Sequence, residues 1–199
     1  MQNNTANLVH TAGYKFVKII NTKWLRLFLY EQCEAWQLRG SIILSDEGIN
    51  FMLAGTRHNI DNFYNFLKQD QRFTNLTTKE STNPSLPFDK MVIKVKGHLV
   101  PTKNPIKAIT KQSSKISATQ LQDWLDNNEE FNLLDTRNIY EVEKGGFKKA
   151  HDLKIRNFSE ITEKLEKSNL DRNKPLVMFC TGGIRCEKAL PIAKQLGFE

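Results

Sequence analysis

Hydrophobic and polar positions in the first half of the chain follow a pattern that predicts strands and helices in a definite order. The segment YKFVKII (14–20) alternates and is rich in aromatic and β-branched residues, which favours a strand. Apolar residues then recur every three or four positions in 22–38 and in 56–70, as on the buried face of an amphipathic helix. Between these helices, SIILSDEGINFMLAG (41–55) predicts a hairpin, and KMVIKVK (90–96) alternates again. The order β-α-β-β-α-β is that of a ferredoxin-like domain.

The second half of the chain has a different pattern, and a segment rich in proline and lysine precedes it. We predict a basic linker over 98–116, which separates the ferredoxin-like domain of residues 1–97 from a second domain of residues 117–199. In that domain, FNLLDTR (131–137) and KPLVMFC (174–180) are short apolar strands between helical segments. We expect the second strand at the centre of a parallel sheet, so the fold class is α/β.

Charge adds a candidate binding surface to this picture. The formal net charge is +7, and residues 101–115 contain four lysines and no acidic residue. Clustered lysines attract RNA phosphates, although a single surface lysine is more often a solvated charge. The candidate RNA-binding residues are Lys94, Lys96, Lys103, Lys107, Lys111 and Lys115.

Several features favour a cytoplasmic protein without membrane contact. No apolar run approaches the about 20 residues that span a bilayer, and the N-terminus resembles no secretory signal. In a reducing compartment Cys33, Cys180 and Cys186 remain thiols, and their spacing relative to the histidines predicts no metal site. Cys33 occupies an apolar helical position, which favours core packing.

The loop CTGGIRC (180–186) contains the strongest candidate chemistry. Cys180 ends an apolar strand, and Gly182 and Gly183 allow backbone N–H groups to converge before a helix begins. This environment lowers a thiol pKa, and Arg185 adds a positive charge, so we predict a nucleophilic Cys180 rather than a structural turn. Two interpretations of Cys186 remain open, a resolving thiol and a helix residue.

The length of this loop separates two chemistries. Four residues, Thr181, Gly182, Gly183 and Ile184, lie between Cys180 and Arg185. Cysteine-dependent phosphatases place five residues there, which makes a cradle wide enough for phosphate. The shorter loop suits a single sulfur atom, and a phosphatase is therefore the weaker hypothesis.

Three motifs together resemble one family. CTGGIRCEKA (180–189), LLDTRN (133–138) and SDEGIN (45–50) are similar to segments of the rhodanese-related, oxygen-dependent tRNA uridine hydroxylases. These proteins join an N-terminal acylphosphatase-like domain to a rhodanese domain, and they make 5-hydroxyuridine at the wobble position of tRNA. The resemblance covers nearly the whole chain.

The resemblance implies roles for individual residues. Cys180 is the expected catalytic cysteine, Arg185 closes its loop, and the loop backbone from Thr181 to Ile184 surrounds the sulfur. Asp135 and Arg137 are the expected supporting pair at the end of a strand, with a purely structural ion pair as the alternative. The resemblance also implies the tRNA anticodon loop as partner and molecular oxygen as co-substrate, while no other cofactor is evident.

Two departures from the family pattern stand out. Phe51 occupies a position where these proteins usually have glycine, and the chain ends at Glu199 although rhodanese domains continue past the last helix. We therefore expect the rhodanese-like domain to be partial.

Alternative functions and mechanisms remain at this stage. The protein could be a general sulfurtransferase carrying a persulfide on Cys180, or a non-catalytic module that binds an anion or RNA. Hydroxylation itself could begin with thiolate addition to C6 of uracil, or a persulfide could take part in the redox step.

Overall fold

The structure, a computed structural model, describes residues 8–103 and 115–198. The chain divides into two compact units, Met1–Leu99 and Val100–Glu199. The elements of the first unit are β1 (Leu8–Phe16), α1 (Thr22–Ala35), β2 (Arg39–Ser45), β3 (Gly48–Gly55), α2 (Arg57–Lys68), a 3-10 turn (Gln71–Phe73), β4 (Thr77–Asn83) and β5 (Met91–Val95).

The first unit contains a five-stranded sheet in the order β4-β1-β3-β2-β5. The four strands from β4 to β2 are antiparallel, which confirms the ferredoxin-like order. The expectation that 90–96 supplies the last strand of the motif is wrong, because β5 is an additional edge strand parallel to β2. The last strand of the motif is β4, whose sequence TTKESTN is polar and lacks an apolar alternation.

Helices α1 and α2 contribute apolar side chains to the core of the first unit. Leu29 and Cys33 of α1 are buried, as are Ile60, Phe63 and Leu67 of α2. Burial raises the pKa of the Cys33 thiol to about 12, so this cysteine stays protonated at neutral pH. The prediction that Cys33 is a core residue is confirmed.

Phe51 fits into this sheet because the neighbouring strand carries a glycine opposite to it. Gly13 of β1 pairs with Phe51 of β3, and the Phe51 side chain is buried. A Cβ atom added to Gly13 would lie 2.5 Å from Cζ of the Phe51 ring. The hairpin that contains Phe51 forms as predicted, with Asp46 and Glu47 in the turn.

The second unit alternates helices with short strands. Its elements are α3 (Ala118–Asp126), β6 (Asn132–Asp135), α4 (Ile139–Val142), β7 (His151–Asp152), a 3-10 turn (Phe158–Glu160), α5 (Ile161–Glu166), β8 (Leu176–Phe179) and α6 (Ile184–Gln195).

A parallel sheet in the order β7-β6-β8 lies in the second unit. The parallel arrangement is confirmed, but the expectation that 174–180 forms its centre is wrong. The middle strand is β6, whose four residues are all buried, while β8 is an edge strand in the described residues and is only partly buried. An apolar run predicts a strand without fixing its place in the sheet. The polar Asn132 is tolerated in β6 because its side-chain amide donates to the carbonyl oxygen of Asp171 at 2.7 Å.

Candidate active site

The candidate site lies where β6 and β8 end. Since the two strands are parallel, their carboxyl ends meet at one edge of the sheet. β6 ends at Asp135, and β8 is followed directly by Cys180. Gly183 precedes α6 with a φ angle of 95°, a left-handed conformation that glycine adopts readily, and turns the loop into the helix.

The sulfur of Cys180 is surrounded by hydrogen-bond donors. The Gly183 N–H donates to Cys180 Sγ at 2.9 Å, and the thiol of Cys186 and the backbone N–H groups of Cys186 and Arg185 also donate to it. The Cys186 thiol is the largest cause of a lowered Cys180 pKa, the backbone donors add to it, and burial opposes it. The resulting pKa is about 5, so Cys180 is a thiolate at neutral pH.

Cys186 is the protonated partner of this thiolate. Its pKa is raised, first by its hydrogen bond to Cys180 and then by burial. Its sulfur also lies 3.6 Å from Oγ1 of the buried Thr136, which follows β6. The hydrogen bond between the two thiols therefore pairs a thiolate, Cys180, with a protonated cysteine, Cys186.

Arg185 forms an ion pair with a residue that the sequence analysis missed. Its two terminal nitrogens donate to the carboxylate of Glu141 on α4 at 2.5 and 2.7 Å, and the Thr181 hydroxyl donates to the same carboxylate at 2.8 Å. Hydrogen bonding from Arg185 is the main reason why the pKa of Glu141 falls to about 2. Glu141 lies 44 positions before Arg185, and no sequence spacing links the two residues.

Asp135 and Arg137, the expected pair at the end of β6, form an ion pair. Arg137 Nη2 lies 2.6 Å from Asp135 Oδ2, and the Asp135 side chain is buried. The same guanidinium donates to the carbonyl oxygen of Gly145 at 2.7 Å and lies 5.6 Å from the centre of the Phe179 ring. The pair therefore orders the loop that follows α4.

A pocket of about 440 Å³ opens beside Cys180. Its volume lies within the range of about 300–1,000 Å³ that is usual for small-ligand sites. The residues that line it are Arg137, Gly145, Gly146, Phe147, Phe179, Cys180 and Thr181. A larger, apolar groove of about 570 Å³ in the first unit contains none of the predicted site residues.

The candidate RNA-binding lysines are only partly covered by the structure. Lys94 and Lys96 are exposed at β5 and just beyond it. Lys103 pairs with Glu163 at 3.1 Å, and Lys115 lies 3.8 Å from Glu187. Lys107 and Lys111 lie outside the described residues. Contact of these lysines with RNA stays a prediction.

Metal-binding clusters and membrane-spanning helices were considered for the described residues. Within residues 8–103 and 115–198, no three or more His, Cys, Asp or Glu side chains are grouped so that they could hold a metal ion. In the same part of the chain, no helix combines the length and the apolar character needed to cross a membrane.

Comparison with known proteins adds to this geometry. Residues 8–99 match the UPF0176 acylphosphatase like domain, and residues 117–199 match the rhodanese-like domain. An acylphosphatase structure from Bacillus subtilis is 18% identical with a TM-score of 0.34, and the match covers 44% of this chain and 98% of that one.

Two curated relatives match nearly the whole chain. A tRNA uridine(34) hydroxylase of Paraburkholderia xenovorans is 38% identical over 204 residues, covering 97% of this chain and 71% of the relative. The protein of the same name from Bordetella pertussis is 38% identical over 199 residues, covering 96% and 82%. Because these identities extend over both domains, we conclude that the chain belongs to the tRNA uridine(34) hydroxylase family.

Proposed function

We propose that this protein hydroxylates the wobble uridine of tRNA to 5-hydroxyuridine and that Cys180 is its reactive residue. The observation that carries the proposal is the Cys180 sulfur, held as a thiolate by three backbone N–H groups and the Cys186 thiol at the wall of a pocket. Membership in the tRNA uridine(34) hydroxylase family supports the substrate and the reaction.

The chemistry of uracil suggests how a thiolate could serve this reaction. C6 of uracil is electrophilic, so the Cys180 thiolate can form an S–C6 bond, and the electron pair of the C5–C6 double bond moves toward C5 and the O4 carbonyl. C5 then reacts with molecular oxygen, the proposed co-substrate, to form a hydroperoxide. One oxygen atom stays on C5, and the other leaves as water when two external thiols supply two electrons and two protons and are oxidised to a disulfide. Loss of the C5 proton and of the thiolate restores the double bond and releases the product.

The anticodon loop is the proposed binding partner. Bases in single-stranded loops can be turned outward at lower cost than paired bases, which gives an enzyme access to C5 and C6. Exposed lysines, with Lys94 and Lys96 among them, would hold the RNA backbone electrostatically.

Nucleoside mass spectrometry tests the proposal. tRNA would be isolated from cells that lack the gene and carry either this chain, Cys180→Ser or Cys33→Ala as the thiol control. We expect 5-hydroxyuridine and its derivatives to return with the wild-type chain and the control, and not with Cys180→Ser. Restoration by Cys180→Ser, or its absence with the wild-type chain, would contradict the proposal.

A second assay separates this function from a general sulfurtransferase. Purified protein would be incubated with thiosulfate and cyanide in the absence of RNA, and thiocyanate would be measured. We expect little turnover. Rapid thiocyanate formation without any hydroxylation of tRNA would instead support a sulfurtransferase that carries its sulfur on Cys180.

A further inference from the structure

An exposed aromatic side chain lies in the pocket beside Cys180. Phe147 is 48% exposed, although its ring contacts Phe179 edge to face with a centroid distance of 5.0 Å. Phe179 directly precedes Cys180, and both phenylalanines line the pocket. An aromatic ring that is anchored at one side and open at another can accept a flat ligand by stacking.

The residues around Phe147 are basic. The segment KGGFKK (144–149) contains three lysines, Lys144, Lys148 and Lys149, and all three are exposed. It has no acidic residue, and it borders the pocket through Gly145, Gly146 and Phe147. Lysines that flank an exposed aromatic ring are typical of surfaces that bind single-stranded nucleic acid, where lysines contact phosphates and the ring stacks on a base.

Two neighbouring contacts fix this segment in place. Arg137 donates to the carbonyl oxygen of Gly145 at 2.7 Å, and Asp135 holds the same guanidinium. A Cβ atom at Gly146 would lie 3.0 Å from Arg137 Nη2 and 3.5 Å from Asp135 Oδ2, so the backbone packs closely on the ion pair. Phe147 is therefore held beside Cys180 before any ligand binds, which lowers the ordering cost of binding.

We propose that residues 144–149 form the subsite for the extruded uridine, with the uracil ring stacked on Phe147 and the adjacent phosphates near Lys144 and Lys148. This inference rests on the proposed function and identifies the residues that contact its substrate. The segment lies outside the set of lysines that the charge pattern singled out, because its three lysines are accompanied by acidic neighbours in sequence such as Glu141 and Glu143.

Protection of Cys180 from alkylation tests the subsite. The full chain would be treated with iodoacetamide at neutral pH, and modification of Cys180 would be followed by mass spectrometry with increasing amounts of an anticodon stem-loop RNA. One RNA carries uridine at the wobble position and a second carries an abasic residue there. We expect the uridine RNA to protect Cys180 at a lower concentration than the abasic RNA.

Three variants make the test specific to Phe147. Phe147→Ala is expected to raise the half-protecting concentration of the uridine RNA by about ten-fold and to remove the difference between the two RNAs, because loss of a base-stacking ring usually weakens binding by roughly 5- to 150-fold. Phe147→Trp should keep the difference. Tyr140→Ala, which removes an exposed ring of α4 outside the pocket lining, should match the wild type.

The possible results separate this inference from the proposed function. If Phe147→Ala folds, as shown by its thermal melting, and still distinguishes uridine from the abasic RNA like the wild type, the subsite is wrong while hydroxylation by the wild-type chain stands. If the wild type makes no 5-hydroxyuridine, the proposed function fails whatever the protection experiment shows. Equal protection of the wild type by the two RNAs would also overturn the stacking inference.

Discussion

Arg185 and Glu141 are joined by two hydrogen bonds of 2.5 and 2.7 Å, and this pair ties the first turn of α6 to α4. Both side chains are mostly buried, with 15% and 17% exposure. The Thr181 hydroxyl donates to the same carboxylate, so two residues of the reactive loop share one anchor. Arg185 and Thr181 are thus both bound to Glu141, and the Cys180 sulfur accepts hydrogen bonds from the Cys186 thiol and from backbone donors.

Removing the charge of Glu141 should destabilise the second domain. In Glu141→Gln, the largely buried Arg185 guanidinium keeps its position but loses its anionic partner, so we expect the free energy of unfolding to fall by about 1–3 kcal/mol. Urea denaturation followed by circular dichroism measures this change. Glu143→Gln, at an exposed position just after α4, is the matched control and should stay within about 0.5 kcal/mol of the wild type.

The same carboxylate should make stability depend on pH in the acid range. The pKa of Glu141 is about 2 in the folded protein, against an ordinary value of 4.5, so its contribution is present above about pH 4.5 and is lost as the pH falls toward 2. We expect about half of the stability difference between the wild type and Glu141→Gln at pH 6 to be lost by pH 3. A difference that stays constant across this range would contradict the assignment.

The rate at which iodoacetamide alkylates Cys180 should depend on pH, and its midpoint should depend on the hydrogen bonds to the Cys180 sulfur. The rate of alkylation should rise with pH and reach half of its maximum near pH 5, the pKa of Cys180. Cys186→Ala removes the strongest donor to the sulfur, so the midpoint should move up by about 1 pH unit. Cys33→Ala should leave it unchanged, since Cys33 belongs to the other domain.

Mild oxidation should join the two loop thiols and decide between the two interpretations of Cys186. Hydrogen peroxide transfers one oxygen atom to the Cys180 thiolate, its O–O bond breaks, and sulfenic acid and hydroxide form. Attack by the Cys186 sulfur on the sulfenic sulfur then makes the disulfide and releases water. We expect a Cys180–Cys186 linked peptide in non-reducing mass spectrometry. Accumulation of sulfinic acid on Cys180 without this link would show that Cys186 is a helix residue and not a resolving thiol.

The contact between Gly13 and Phe51 predicts that a larger residue at Gly13 destabilises the first domain and that a smaller residue at Phe51 partly compensates for it. Gly13→Ala places a methyl group against the Phe51 ring and should destabilise the first domain by about 1–3 kcal/mol. Phe51→Leu should cost less in the Gly13→Ala background than in the wild type, which a double-mutant cycle measures. Gly97→Ala is the control, because nothing lies within 4 Å of a Cβ atom at that position.

Hydrophobic periodicity was sufficient to predict the parts of the fold that have one buried face. Such faces occur on α1, α2 and the β2–β3 hairpin, and the spacing of their apolar residues predicts all three elements. β4 was missed because an edge strand made of polar residues resembles a loop in its pattern. The position of β8 was wrong because the strand order depends on packing between distant segments, which a local apolar run does not encode.

In the candidate site, only the residues that are close together in sequence could be predicted. The loop around Cys180 could be predicted because its thiol, its glycines and the start of the helix are neighbours in sequence. Glu141 could not be predicted, since only the fold brings it to Arg185. Phe147 was missed for the same reason, because only the fold places its aromatic side chain in the same pocket as Cys180.

The use of backbone donors around Cys180 has a consequence for how this loop tolerates mutation. A peptide N–H is present whatever the side chain, so replacements at Thr181 or Ile184 that keep the backbone path leave those donors in place. Proline lacks this group, and a proline at Gly183 would delete the donor that lies 2.9 Å from the sulfur. Replacements that keep Cys186 and the path of the main chain can therefore change the exposed side chains of this loop while the hydrogen bonds to the Cys180 sulfur are kept.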